Sequence, residues 1–91
     1  MIDAAQIRAA RGLLNISQTQ LAELATMSAA TVKRIEAAAG IRGTAETLWK
    51  LQTALEKAGV EFIPADDHRG PGVRLKESAR TKIKRPRRKS A

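Results

Sequence analysis

Between Ser17 and Glu36 the apolar positions fall into two short helical patterns separated by a break. Leu21, Ala22, Leu24 and Ala25 make the first face, at the spacing of a helix that buries one stripe. Ser17 precedes it with Gln20 three residues on, the capping-box pattern in which each side chain satisfies the other residue's backbone N–H. Thr26 and Met27 interrupt the face. Ser28 then caps a second helix over about 28–37, in which Val32 and Ile35 point one way while Thr31, Lys33 and Arg34 lie on other faces. One buried stripe beneath a short, small-residue polar surface is what a helix needs to enter a groove.

The flanks extend the helical pattern and then end it. Asp3 caps a helix reaching about Leu14, with Ile7, Ala10, Arg11 and Leu14 at three- and four-residue spacing and Gly12 weakening its end. Residues 38–43 read as a loop turned by Gly40 and Gly43. Thr44 caps a fourth helix to about Ala58, with Leu48, Leu51 and Leu55 as its stripe and Gly59 as its stop. Trp49 is rotated about 100° from Leu48, which places it at the stripe's edge, where it flanks an interface. Val60 to Ile63 is then β-branched and aromatic and is closed by Pro64. A turn-rich stretch follows, and Val73 to Lys76 alternates, so the spacing predicts a β-hairpin with a long loop. An isolated two-stranded hairpin is marginal in water. It must pack on the helices or pair with another chain, and a homodimer is expected with Trp49, Val60, Phe62, Val73 and Leu75 at its interface.

Composition changes the picture at one end only. The chain has 91 residues and a net charge of +8, but up to Lys76 it carries 10 Lys or Arg against 8 Asp or Glu. From Glu77 on there are 7 basic residues against 1 acidic. The folded part is therefore nearly balanced, and the tail makes the protein basic. With one isoleucine and no aromatic residue, 77–91 is expected to be disordered. The organisation expected is mainly α: a helical domain over 1–59, a β-hairpin over 60–76 as dimerisation element, and a basic flexible tail over 77–91.

Candidate chemistry is sparse. There is no cysteine, and His68 is the one histidine, so neither a disulfide framework nor a thiolate metal site is available. Asp66-Asp67-His68 are three adjacent loop residues that cannot enclose an ion by themselves and read as a solvated turn. No Gly-rich phosphate loop, carboxylate pair or nucleophile–base arrangement stands out. The expectation is a protein without enzymatic activity, cofactor or metal. No apolar run is long enough for a membrane span, so no membrane partner and a cytoplasmic location are expected.

Arg11, Ser17-Gln18, Leu21-Ala22, Ala25, Ser28, Val32 and Ile35-Glu36 together resemble the helix-turn-helix domain of the phage repressor and Cro family, often called Xre. The resemblance implies a four-helix repressor-like domain over the first 60 residues or so, in a bacterial or phage-encoded regulator. It implies double-stranded DNA as partner, with the second motif helix in the major groove. It also implies that Gln18 reaches a backbone phosphate and that Arg11 and Glu36 form a structural ion pair. Where family members often carry Gln for adenine, this chain has Ala29 and Ala30, which can touch only thymine methyl groups or permit close approach. Base reading then falls on Thr31, Lys33 and Arg34, with guanine reading and plain phosphate contact both open for the two cations and either a base or a phosphate open for Thr31. Ser28, Arg42 and Thr44 complete the expected DNA surface. Thr26 occupies a turn position usually given to Gly, and threonine disfavours positive φ.

Two such domains would meet a near-palindromic, inverted-repeat site with recognition helices about 34 Å apart. Arg80, Lys82, Lys84, Arg85, Arg87, Arg88 and Lys89 would add phosphate contacts. A second reading is a protein-interaction module, an antitoxin or anti-activator, that binds a regulatory protein through the fourth helix, the hairpin or the tail.

Overall fold

The computed structural model describes residues 2–37 and 44–77. Four helices, α1 (Ala4–Leu14), α2 (Gln18–Ala25), α3 (Ala29–Ala37) and α4 (Ala45–Lys57), precede two antiparallel strands, β1 (Val60–Ile63) and β2 (Gly72–Leu75). Each helix opens on the residue that sequence chemistry selects. Asp3 Oδ1 accepts from the Gln6 N–H at 2.9 Å while Gln6 Oε1 accepts from the Asp3 N–H at 3.1 Å. Ser17 and Gln20 repeat this reciprocal box at 3.0 and 2.8 Å. Ser28 and Thr44 each accept the backbone N–H three residues on, at 3.1 Å.

The first two helices end alike. Asn15 (φ 59°) and Thr26 (φ 58°) are left-handed. Ile16 N–H donates to the Arg11 carbonyl, and Met27 N–H to the Ala22 carbonyl. This is the six-to-one bond that closes a helix around a left-handed residue. Ile16 and Met27, the residues after each stop, pack onto the core and fix the exit direction. Gly12 stays inside α1, and Asn15 makes the stop. At the end of α4 the stop is Gly59, at φ 111°.

One core joins these elements: Ile2, Ile7, Ala10, Leu14, Leu21, Ala22, Ala25, Val32, Ile35, Leu48, Leu51, Leu55 and Val60. Leu24 corrects the predicted α2 face, being 53% exposed. At 100° per residue it lies roughly 100° from the centre of the stripe formed by Leu21, Ala22 and Ala25. Trp49 is 65% exposed beside buried Leu48, as its rotation predicts.

The hairpin pairs Val60 with Leu75, Glu61 with Arg74, Phe62 with Val73 and Ile63 with Gly72, so β2 starts one residue before the predicted strand. Alternation puts Val60, Phe62, Val73 and Leu75 on one face, and all four pack on the helical core. Gln6 Nε2 also donates to the Gly72 carbonyl at 3.1 Å. The hairpin's marginal stability is thus met within the chain. Val60 is a core residue with no exposed surface and has none to offer a second subunit; this corrects its assignment to a dimer interface. Phe62, Val73 and Leu75 remain half-exposed.

On the outer face Arg74 forks onto Glu61 at 3.0 and 3.2 Å. That hydrogen-bonded pair holds the Glu61 carboxyl below its ordinary range and the Arg74 guanidinium above its own. No helix among the described residues is long and apolar enough to cross a membrane.

Candidate nucleic-acid interface

A buried carboxylate joins the α2–turn–α3 unit to α1, beside the shared core. Glu36, on the last turn of α3, is 4% exposed and needs a donor for each oxygen, because an unpaired buried charge is strongly destabilising. Arg11 supplies the fork: Nε to Oε2 at 2.8 Å and Nη2 to Oε1 at 2.9 Å, the bidentate geometry that planar guanidinium favours. Hydrogen bonding to Glu36 raises the Arg11 pKa above its ordinary value, against the opposing effect of burial. Arg11 Nη1 also donates to the Ile16 carbonyl at 3.1 Å, which secures the link between α1 and α2. Gln18, the first residue of α2, donates Nε2 to Glu36 Oε1 at 3.0 Å. One carboxylate therefore ties three helices together.

The outward side of α3 is small and cationic. Ala30, Lys33 and Arg34 are exposed, and neither cation has an ion-pair or hydrogen-bond partner among the described residues. Ala29 is half-buried against the core. The Ser28 and Thr31 hydroxyls bond each other at 2.9 Å while Ser28 Oγ caps the Thr31 N–H, so both hydroxyls are committed to the helix start. Thr44 does the same for α4, its hydroxyl 2.9 Å from that of Thr47.

A family comparison bears directly on this unit. The helix-turn-helix family matches residues 7–62, more than half of the chain. The chain belongs to this family. It is an Xre-like helix-turn-helix protein, a DNA-binding regulator in which α2 and α3 are the motif's two helices. A comparison with curated proteins found no match.

Of the helix-turn-helix residues singled out from sequence, Arg11 and Glu36 form the expected pair, and α3 brings Ala30, Lys33 and Arg34 to one surface. Gln18 stands at the start of α2 with one amide N–H engaged by Glu36, leaving its carbonyl oxygen and second N–H. Arg42 and the tail residues Arg80, Lys82, Lys84, Arg85, Arg87, Arg88 and Lys89 lie outside the described residues. Asp66 Oδ1 accepts from the N–H groups of His68 and Arg69 at 2.8 and 2.7 Å, so that carboxylate closes its own turn.

Two features escaped the sequence reading. Gln18 serves Glu36, and Arg8 Nη1 donates to the backbone carbonyl of Glu36. The available signal for the second was a pair of arginines three apart on α1, which shares one side of a helix.

Proposed function

We propose that this helix-turn-helix protein is a homodimeric, sequence-specific transcriptional regulator that reads an inverted-repeat site with α3 in the major groove. The observation that carries the reading is the pair of exposed cations, Lys33 and Arg34, without an ion-pair partner among the described residues, on a helix clamped to α1 and α2 through Glu36. An unpaired cation on a rigid helix is poised for guanine N7 and O6, which arginine and lysine contact best. Ala29 and Ala30 permit close approach and contact thymine methyl groups. Gln18 and Arg42 serve the phosphates, while Ser28, Thr31 and Thr44, whose hydroxyls hold the helix starts, present the backbone N–H groups there to phosphate. The tail cations add affinity without sequence preference by displacing counterions.

The dimer in this proposal uses the surface the core leaves free: Trp49 with the half-exposed sides of Phe62, Val73 and Leu75. Two grooves of about 470 and 450 Å³ flank it and share Gln52. Changing Lys33 and Arg34 together to Ala is expected to abolish binding to a duplex selected by the wild-type protein, with the melting temperature little changed. Retained binding would overturn the reading. Sedimentation of a monomer at micromolar concentration would remove the dimer from it.

The exposure of Trp49 favours one alternative, a module whose partner is another protein. In that case Trp49→Ala and Phe62→Ala weaken function while the Lys33 and Arg34 substitutions do not.

A further inference from the structure

We infer that Arg8 is a positioning residue for DNA reading: its guanidinium, bonded to the Glu36 carbonyl, holds the C-terminal end of α3 at the angle that Lys33 and Arg34 require. The inference rests on the DNA-reading proposal above and adds a residue that the proposal does not use. Arg8 and Arg11 stand three residues apart on α1 and so share one side of it. Both reach Glu36, by different handles. Arg11 forks the carboxylate, and Arg8 donates to the backbone carbonyl.

The difference between the handles matters. A link through the Glu36 side chain includes that residue's rotatable bonds, so α3 can roll while the ion pair persists. A link to the carbonyl has no rotatable side chain on the α3 side. Glu36 lies one residue before Ala37, the last described residue of α3. Arg8 therefore anchors the backbone of α3. Arg34 and Lys33 precede Glu36 by two and three residues, within one turn of the anchor. A contacting group must be held within roughly 0.5 Å and 10–20° to be productive; Val32 and Ile35 in the core and the bonds to the Glu36 carboxylate seat α3, and the backbone bond from Arg8 fixes its roll.

Arg8 is exposed on its remaining sides, so direct phosphate contact is the competing role. The two roles leave different marks. The test measures binding of the full chain and of Arg8→Ala to two duplexes across a salt series: one selected from random DNA by the wild-type protein, and one of the same composition scrambled. Positioning predicts that the preference ratio falls on the order of tenfold, the size of one good base contact, while the salt slope is unchanged. A slope reduced by about 0.9 with equal weakening on both duplexes assigns Arg8 to a phosphate and overturns the inference. An unchanged preference ratio also overturns it. Should Arg8→Ala fail to fold, Arg8→Gln carries the same two readouts with the same meaning. A wild-type protein that selects no sequence is seen before any variant is made, and it removes the DNA-reading proposal itself.

Discussion

Thr26 is the residue at which local preference and fold disagree most. A β-branched side chain at φ 58° is strained by about 1–2 kcal/mol, and the turn between α2 and α3 keeps it there because Met27 must fold back onto Ala22 and the core. Thr26→Gly removes the strain but adds roughly 0.5–1 kcal/mol of unfolded-chain entropy to be overcome on folding. The expected net gain is about 0.5–1 kcal/mol, a rise of a few degrees in melting temperature, measured by thermal circular dichroism. A lower melting temperature would mean that the threonine makes a compensating interaction. Glu36 is the opposite case, a costly buried charge made safe by its partners. Arg11→Ala leaves its carboxylate buried and short of two donors, and is expected to destabilise by roughly 3–5 kcal/mol. Chemical denaturation would show this as a large drop in midpoint with little change in slope.

At the scale of elements, the helix starts and stripes were legible because they depend on nearest neighbours. Asp3 with Gln6, Ser17 with Gln20, and the Leu48, Leu51, Leu55 row announce themselves within a few residues. Leu24 was misplaced because α2 has only eight residues, and so short a stripe does not reveal which flank is covered until α4 packs on it. The hairpin was legible as strands but not in its facing. Alternation assigns Val60, Phe62, Val73 and Leu75 to one side, and only the Gln6 bond and the packing on α1 and α4 show that this side meets the chain's own core. Gln6→Ala removes both the Gly72 bond and half of the α1 capping box. It should cost about 1–3 kcal/mol, with hydrogen exchange rising first in β2. The Glu61–Arg74 pair contributes stability that is present at neutral pH and disappears as pH falls through the lowered Glu61 pKa. Glu61→Gln should therefore flatten the acid limb of the stability curve, an effect kept small by exposure. The exposed cations of the proposed reading surface, Lys33 and Arg34, were legible in the sequence. The supports of that surface were not, because Arg8 and Gln18 act on Glu36 across 28 and 18 residues of chain.

For the whole molecule, charge is unevenly distributed along the chain. Residues 1–76 are close to neutral and contain α3, which the proposal makes the reading helix, while 77–91 carry 7 of the 17 basic residues. A version ending at Lys76 is expected to keep its sequence preference and to bind with a shallower salt dependence, by about 0.9 log units per log salt for each phosphate that the tail neutralises. An unchanged slope would assign the tail to something other than DNA. Whether α3 reads an inverted repeat is decided by selecting bound duplexes from random DNA with the full chain. The expected pool is enriched in an inverted repeat with half-site centres about 10–10.5 base pairs apart. A pool with no enriched sequence would contradict the assignment of α3 as a reading helix.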